Sequence, residues 1–158
     1  MIKLNPMNEQ EFTQFYEQGI LSYAEENVTA GRCKQEDAVE QSRLENERLL
    51  PQGRLTPDHD FYNIYCPNKK AIVGYLWTMV ETKFNQRTAF VYDVEIKENY
   101  RRQGYGQVAF KALEQIAKQQ GIQKIGLHVF GHNPGAQALY KKLGYGVTGI
   151  NMAKDLSD

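Results

Sequence analysis

The sequence predicts an α+β domain in which a mixed, largely antiparallel sheet of six to seven strands carries helices on both faces. Two observations predict it. Alternating and apolar segments between His59 and Ile96 succeed one another with only turn residues between them, which makes them antiparallel neighbours. From Tyr92 the chain then runs strand, glycine turn, amphipathic helix, strand, the order of a crossover to a parallel neighbour. With 158 residues and 18.2 kDa the chain, residues 1–158, is expected to form one domain.

Composition narrows the function classes. Hydrophobic residues at 41% and charged residues at 24% are ordinary for a soluble globular chain. Met1–Pro6 lacks a secretory apolar core, and the longest near-apolar run, Ala71–Val80, is too short to span a bilayer, so a cytoplasmic protein with no membrane partner is expected. Cys33 and Cys66 lie in no CxxC and near no His at ligand spacing, which implies reduced thiols and no metal site. Zero net charge argues against nucleic acid, although residues 1–60 hold 6 basic and 12 acidic side chains, leaving 13 and 7 of the total 19 and 19 to residues 61–158. An acidic first part could attract a cationic acceptor, or simply form the solvated faces of two helices.

Ile2–Leu4 reads as a short first strand. Asn8 with Glu11 is a capping box, and Phe12, Phe15, Tyr16, Ile20, Tyr23, Ala24 and Val28 form the apolar face of a helix that reaches Gly31. Gln35–Leu50 is a charged surface helix ended by Pro51 and Gly53. His59–Tyr65, Ala71–Val80 and Thr88–Ile96 form a meander, with turns at Pro67–Asn68 and Asn85–Gln86. Val108, Ala109, Ala112, Leu113, Ile116 and Ala117 recur at helical spacing before Gly121. Ile125–Phe130 is the next strand, Asn133 and Pro134 open the last helix, Gly144 closes it, and Val147–Lys154 supplies the closing strands.

The turn Arg101-Arg102-Gln103-Gly104-Tyr105-Gly106 stands between a strand and a helix N-terminus, where unpaired amides, the helix dipole and two arginines favour phosphate. No Gly-Lys-Ser/Thr comes after it, which rules out a Walker loop; Ala109 at the third position and the absence of repeated βαβ units weaken a dinucleotide fingerprint. Arg101-x-x-Gly104-x-Gly106 resembles the pyrophosphate motif of the GNAT superfamily of acyl-CoA-dependent N-acetyltransferases. Downstream, Asn133-Pro134-Gly135-Ala136, Leu139-Tyr140 and Leu143-Gly144-Tyr145 resemble that family's second signature.

The resemblance implies acetyl-CoA as acyl donor and a primary amine as acceptor in a ternary complex. It implies pyrophosphate contacts from Arg101, Arg102, Gln103, Gly104, Tyr105 and Gly106, and pantetheine contacts from Val94, Glu95, Ile96 and Asn133. Tyr140 would give a proton to the departing thiolate. Either His128 or Glu95 would take the proton from the amine. His128 replaces the carboxylate that similar proteins carry there and sits mid-strand between Leu127 and Val129; Asp93 shares the face of Glu95 and reads as solvated or ion-paired. A non-catalytic acyl-CoA-binding sensor or scaffold is the alternative, and an RNA-binding reading lacks a continuous basic face. The protein would act as monomer or homodimer. The acceptor is not legible.

Overall fold

A computed structural model of the chain describes residues 1–157. Its elements are β1 (Lys3–Pro6), α1 (Glu9–Thr29), α2 (Gln35–Leu49), β2 (His59–Cys66), β3 (Ala71–Lys83), β4 (Gln86–Ile96), α3 (Tyr105–Gln119), β5 (Lys124–Leu127) and α4 (Pro134–Lys142), with short 3-10 turns at Gly53–Leu55 and Glu98–Tyr100. The strands lie in the order β1-β2-β3-β4-β5. All pairs are antiparallel except β4 with β5, which α3 joins in parallel. The expected sheet of six to seven strands is therefore a sheet of five. Val147–Lys154 makes no strand, because its side chains find no surface to cover and remain exposed.

Local chemistry explains most boundaries. The Asn8 side chain accepts from the Glu11 amide at 2.8 Å while Glu11 accepts from the Asn8 amide at 2.9 Å, which fixes the start of α1. Phe84 and Asn85, both with positive φ, make the β3–β4 hairpin turn one residue earlier than the sequence suggests. Among the described residues no helix is long and apolar enough to cross a membrane.

Each face of the sheet has its own core. Phe12 and Phe15 of α1 pack on Phe61 and Trp77, with Leu50 and Met7 closing the cluster. On the opposite face Ala109, Phe110 and Leu113 of α3 cover Ile64, Val73, Leu76 and Val91, and Tyr140, Leu143 and Tyr145 extend this cluster around α4. α2 lies outside α1 and buries only Ala38 and Ser42; the Ser42 hydroxyl donates to the Ile20 carbonyl at 2.7 Å and ties the two helices together.

Two irregularities set the course of β4 beside β3. The register passes from Trp77 opposite Asp93 to Thr78 opposite Val91, so Tyr92 is a bulge residue. Gly74 faces Ile96, and a Cβ there would stand 2.1 Å from the Glu95 carbonyl oxygen, so only glycine lets the end of β4 approach β3 this closely.

Candidate active site

Pairing of β4 with β5 stops at Val91 opposite Leu127. β4 continues to Ile96 beside β3 alone, so the two parallel strands part and leave a wedge between them. The wedge opens into a cavity of about 1090 Å³ that runs from α1 and α2 to the start of α4. Val94, Glu95, Ile96, Arg101, Gly106, His128, Asn133 and Tyr140 all line it. Residues expected to serve one site are thus brought to one cavity.

The bulge decides which β4 side chains face which core. Val91, Val94 and Ile96 pack on the α3 side, whereas Tyr92 stacks on Trp77 at 4.9 Å and Asp93 and Glu95 look toward α1. The two carboxylates differ sharply in surroundings. Glu95 is about half exposed and sits 3.4 Å from Arg101, a pair worth no more than about 1 kcal/mol in water. Asp93 has no basic partner among the described residues. It stands in a cleft with Phe15, Gly19, Ser22 and Tyr75. The residue keeps some exposed surface, yet its carboxyl lies deep enough that burial, then the charges of Glu95 and Glu26, push its pKa up to about 6 against the pull of the Val94 amide. The sequence reading of Asp93 as solvated or ion-paired is corrected accordingly.

Tyr140 projects from α4 against Phe110 at 5.5 Å and Tyr145 at 6.0 Å. Burial, and next the charge of Asp93, raise its pKa, so the phenol stays protonated at neutral pH. His128 lies one residue beyond the end of β5 and not mid-strand, because the parting of β4 ends the ladder at Leu127. It is exposed, its ring edge meets Phe130 at 5.0 Å, and partial removal from water, then the charge of Arg32, lower its pKa.

The basic turn has the shape of an anion cradle. Gly104 caps α3 with φ +83°, a left-handed conformation that favours glycine. The first intrahelical bond of α3 runs from the Val108 amide to the Gly104 carbonyl, so the amides of Tyr105, Gly106 and Gln107 have no helical acceptor. Arg101 folds back, donating through Nε to the Ile96 carbonyl at 2.8 Å. Arg102 takes φ +60° and is exposed, and Gln103 donates to the Asn99 carbonyl. The Tyr105 side chain turns away into the core and meets Cys66 at 3.8 Å. At Gly106 a Cβ would only touch Leu139 at 3.5 Å, so the fold itself does not demand glycine there.

Asn133 accepts from the Ala136 amide at 3.2 Å as the cap of α4. Across the mouth, His132 Nε2 and Glu26 Oε2 lie 2.8 Å apart, and Arg32 stacks over Phe130 at 4.9 Å, so α1 and the α1–α2 connection each meet the β5–α4 loop. His132 sits in an exposed loop and is engaged there by Glu26. Its partner is 106 residues away and no local pattern announces it. Trp77 is buried, and its Nε1 donates to His59 at 3.0 Å.

The candidate site thus joins a wedge between parallel strands, a helix-start cradle, and the Asp93 carboxyl and Tyr140 phenol lining one cavity. Comparison agrees. Residues 21–145 match the Acetyltransferase (GNAT) family. The chain is 41% identical over 155 residues to the Bacillus subtilis uncharacterized N-acetyltransferase YycN, covering 98% of this chain and 99% of that one. It is 35% identical over 153 residues to YdgE of the same organism, another uncharacterized N-acetyltransferase, covering 97% of each. It superposes on the crystal structure of YycN over 100% of both chains with a TM-score of 0.95 at 40% identity. The chain therefore belongs to the GNAT family and is an N-acetyltransferase.

Proposed function

We propose that the protein transfers an acetyl group from acetyl-CoA to a primary amine in one ternary complex, with Asp93 as the base. The observation that carries this reading is a carboxyl group poised near pH 6 at the point where β4 leaves β5, with Tyr140 close enough to feel its charge. A base should titrate near working pH, as the raised pKa of Asp93 allows, whereas Glu95 is half exposed and paired with Arg101.

Each role rests on this chain's own groups. The free amides of Tyr105, Gly106 and Gln107, with Arg101 and Arg102 beside them, fit a pyrophosphate. Val94, Ile96 and Asn133 line the channel in which a pantetheine arm would lie, and the carrier supplies the thioester carbonyl and the leaving thiolate. The main-chain amide of Val94 or Ile96, left without a β5 partner, can stabilise the oxyanion. Asp93 accepts the ammonium proton. Tyr140 donates to the thiolate. His128 stays a rim residue whose lowered pKa suits relay of that proton to solvent.

The acceptor end is acidic and aromatic: Glu25, Glu26, Glu45, Tyr23, Trp77 and Tyr92 line it. Such walls favour an acceptor with positive charge beyond the reacting amine. A panel of amines assayed by release of free thiol tests both points. Diamines and basic amino acids are expected to outrun uncharged amines of equal length; turnover equal across the panel contradicts the acidic acceptor end, and no thiol release with any amine contradicts the reaction.

A further inference from the structure

Two arginines line the cavity. Arg101 belongs to the cradle end, where it donates to the Ile96 carbonyl, whereas Arg32 lies toward the acidic end that Tyr23, Glu26 and Glu45 share. Arg32 forms no ion pair among the described residues, and Glu26, the acid at the same mouth, is engaged by His132 at 2.8 Å. His128 does not duplicate its charge, since partial removal from water, then the charge of Arg32, lower the imidazole pKa.

The fold holds this guanidinium in place. α1 ends in a Schellman turn, in which the Gly31 amide donates to the Val28 carbonyl at 3.0 Å and the Arg32 amide to the Asn27 carbonyl at 2.9 Å. From that fixed backbone the side chain crosses to Phe130 and rests 4.9 Å from the ring centre. A cation–π contact uses none of the five N–H donors of a guanidinium, whose fork matches a carboxylate. Glu25, Glu26 and Glu45 on the same walls disfavour a doubly charged phosphate and suit a single negative charge flanked by positive ones.

Spacing narrows the ligand further. Asp93 shares its cleft with Ser22 of α1, and the helix rises about 10 Å from Ser22 to its last residue, Thr29, with Arg32 beyond that end. A carboxylate held at Arg32 therefore leaves an adjoining α-amine short of Asp93, while a side-chain amine several carbons further on spans the gap.

We propose that Arg32 selects the acceptor by binding the carboxylate of an amino acid whose side-chain amine reaches Asp93. This rests on the transferase reading above and narrows its cationic acceptors to those that also carry a carboxylate. The new N–C bond forms as the thioester C–S bond breaks, the amine proton passing to Asp93 and a proton from Tyr140 to the thiolate.

Pairs that differ only by the carboxylate test this: lysine and cadaverine, ornithine and putrescine, 2,4-diaminobutyrate and 1,3-diaminopropane, each assayed with acetyl-CoA by release of free thiol. In the wild type the best amino acid is expected to exceed its diamine about 10-fold in kcat/KM, the scale of one charge-assisted contact. R32Q is expected to bring that ratio near one, chiefly through the KM of the amino acid, and R32K, which keeps the charge without the fork, to fall between. The product is expected to carry the acetyl group on its side-chain nitrogen. Diamines used as well as amino acids by the wild type, a ratio unchanged in R32Q, or an α-acetylated product overturns the role of Arg32 and leaves the transferase reading standing. Thiol release with other amines but with neither member of any pair does the same. No release with any amine overturns both. Should R32Q fail to fold, the wild-type ratios and R32K decide.

Discussion

At Tyr92 one extra residue in β4 reverses which side chains face α1, and by that shift Asp93 lies on the cavity side together with Glu95. Sequence alternation alone pairs Asp93 with Glu95 correctly, but it cannot rank them, since burial and a guanidinium from a later turn make the difference. As base, Asp93 must be ionised, so kcat/KM is expected to fall as pH drops through about 6. D93N is expected to lose 10²–10⁴-fold in rate, on the order typical of a removed base, and to lose that acid limb. Stability should move the other way. The folded pKa is raised from 3.8 to about 6, so the folded chain holds this proton more tightly than the unfolded one, and stability declines as pH rises through that window. Above it the ionised carboxylate costs about 1–3 kcal/mol at 1.36 kcal/mol per unit. D93N is therefore expected to melt above the wild type at pH 8, with the gap narrowing at pH 4; equal melting temperatures at both would mean that Asp93 is solvated. For Y140F, which keeps the ring between Phe110 and Tyr145, kcat is expected to drop about 10²-fold with little change in the donor KM. Wild-type turnover would remove the phenol from the reaction.

The elements that periodicity and turn chemistry define were legible: the capping box of α1, the β2–β4 meander, α3 between Gly104 and Gly121, and α4 behind Asn133-Pro134. What was not legible depends on partners distant in sequence. β5 ends at Leu127 because β4 bulges and departs, Val147–Lys154 has strand alternation but no neighbour in its own chain, and His132 meets Glu26 only after folding. Gly74 belongs here too, for nothing in Val73-Gly74-Tyr75 announces the Glu95 carbonyl above it. G74A is expected to destabilise by about 1–3 kcal/mol or more, as overpacking does, and to impair turnover by moving the end of β4. G106A offers the contrast. Its Cβ meets only ordinary contact, so the melting temperature should hold while the KM for acetyl-CoA rises; unchanged KM would show that no ligand approaches that Cα.

Across the whole molecule the charge is unevenly divided along the chain. The acidic excess of residues 1–60 reaches the cavity through Glu25, Glu26 and Glu45, and the basic excess of the remainder includes Arg101 and Arg102 at the cradle, so a cationic acceptor and an anionic donor would enter from opposite ends. The sheet supplies the frame for both, since the wedge between β4 and β5 is where the two would meet. That meeting can be observed without knowing the acceptor. In an amide-resolved NMR titration with coenzyme A, the largest shifts are expected at Val94–Ile96, at Gln103–Gln107 and at Asn133. Shifts confined to other surfaces, or none at saturating ligand, would contradict the assignment of this wedge and cradle as the acyl-carrier site.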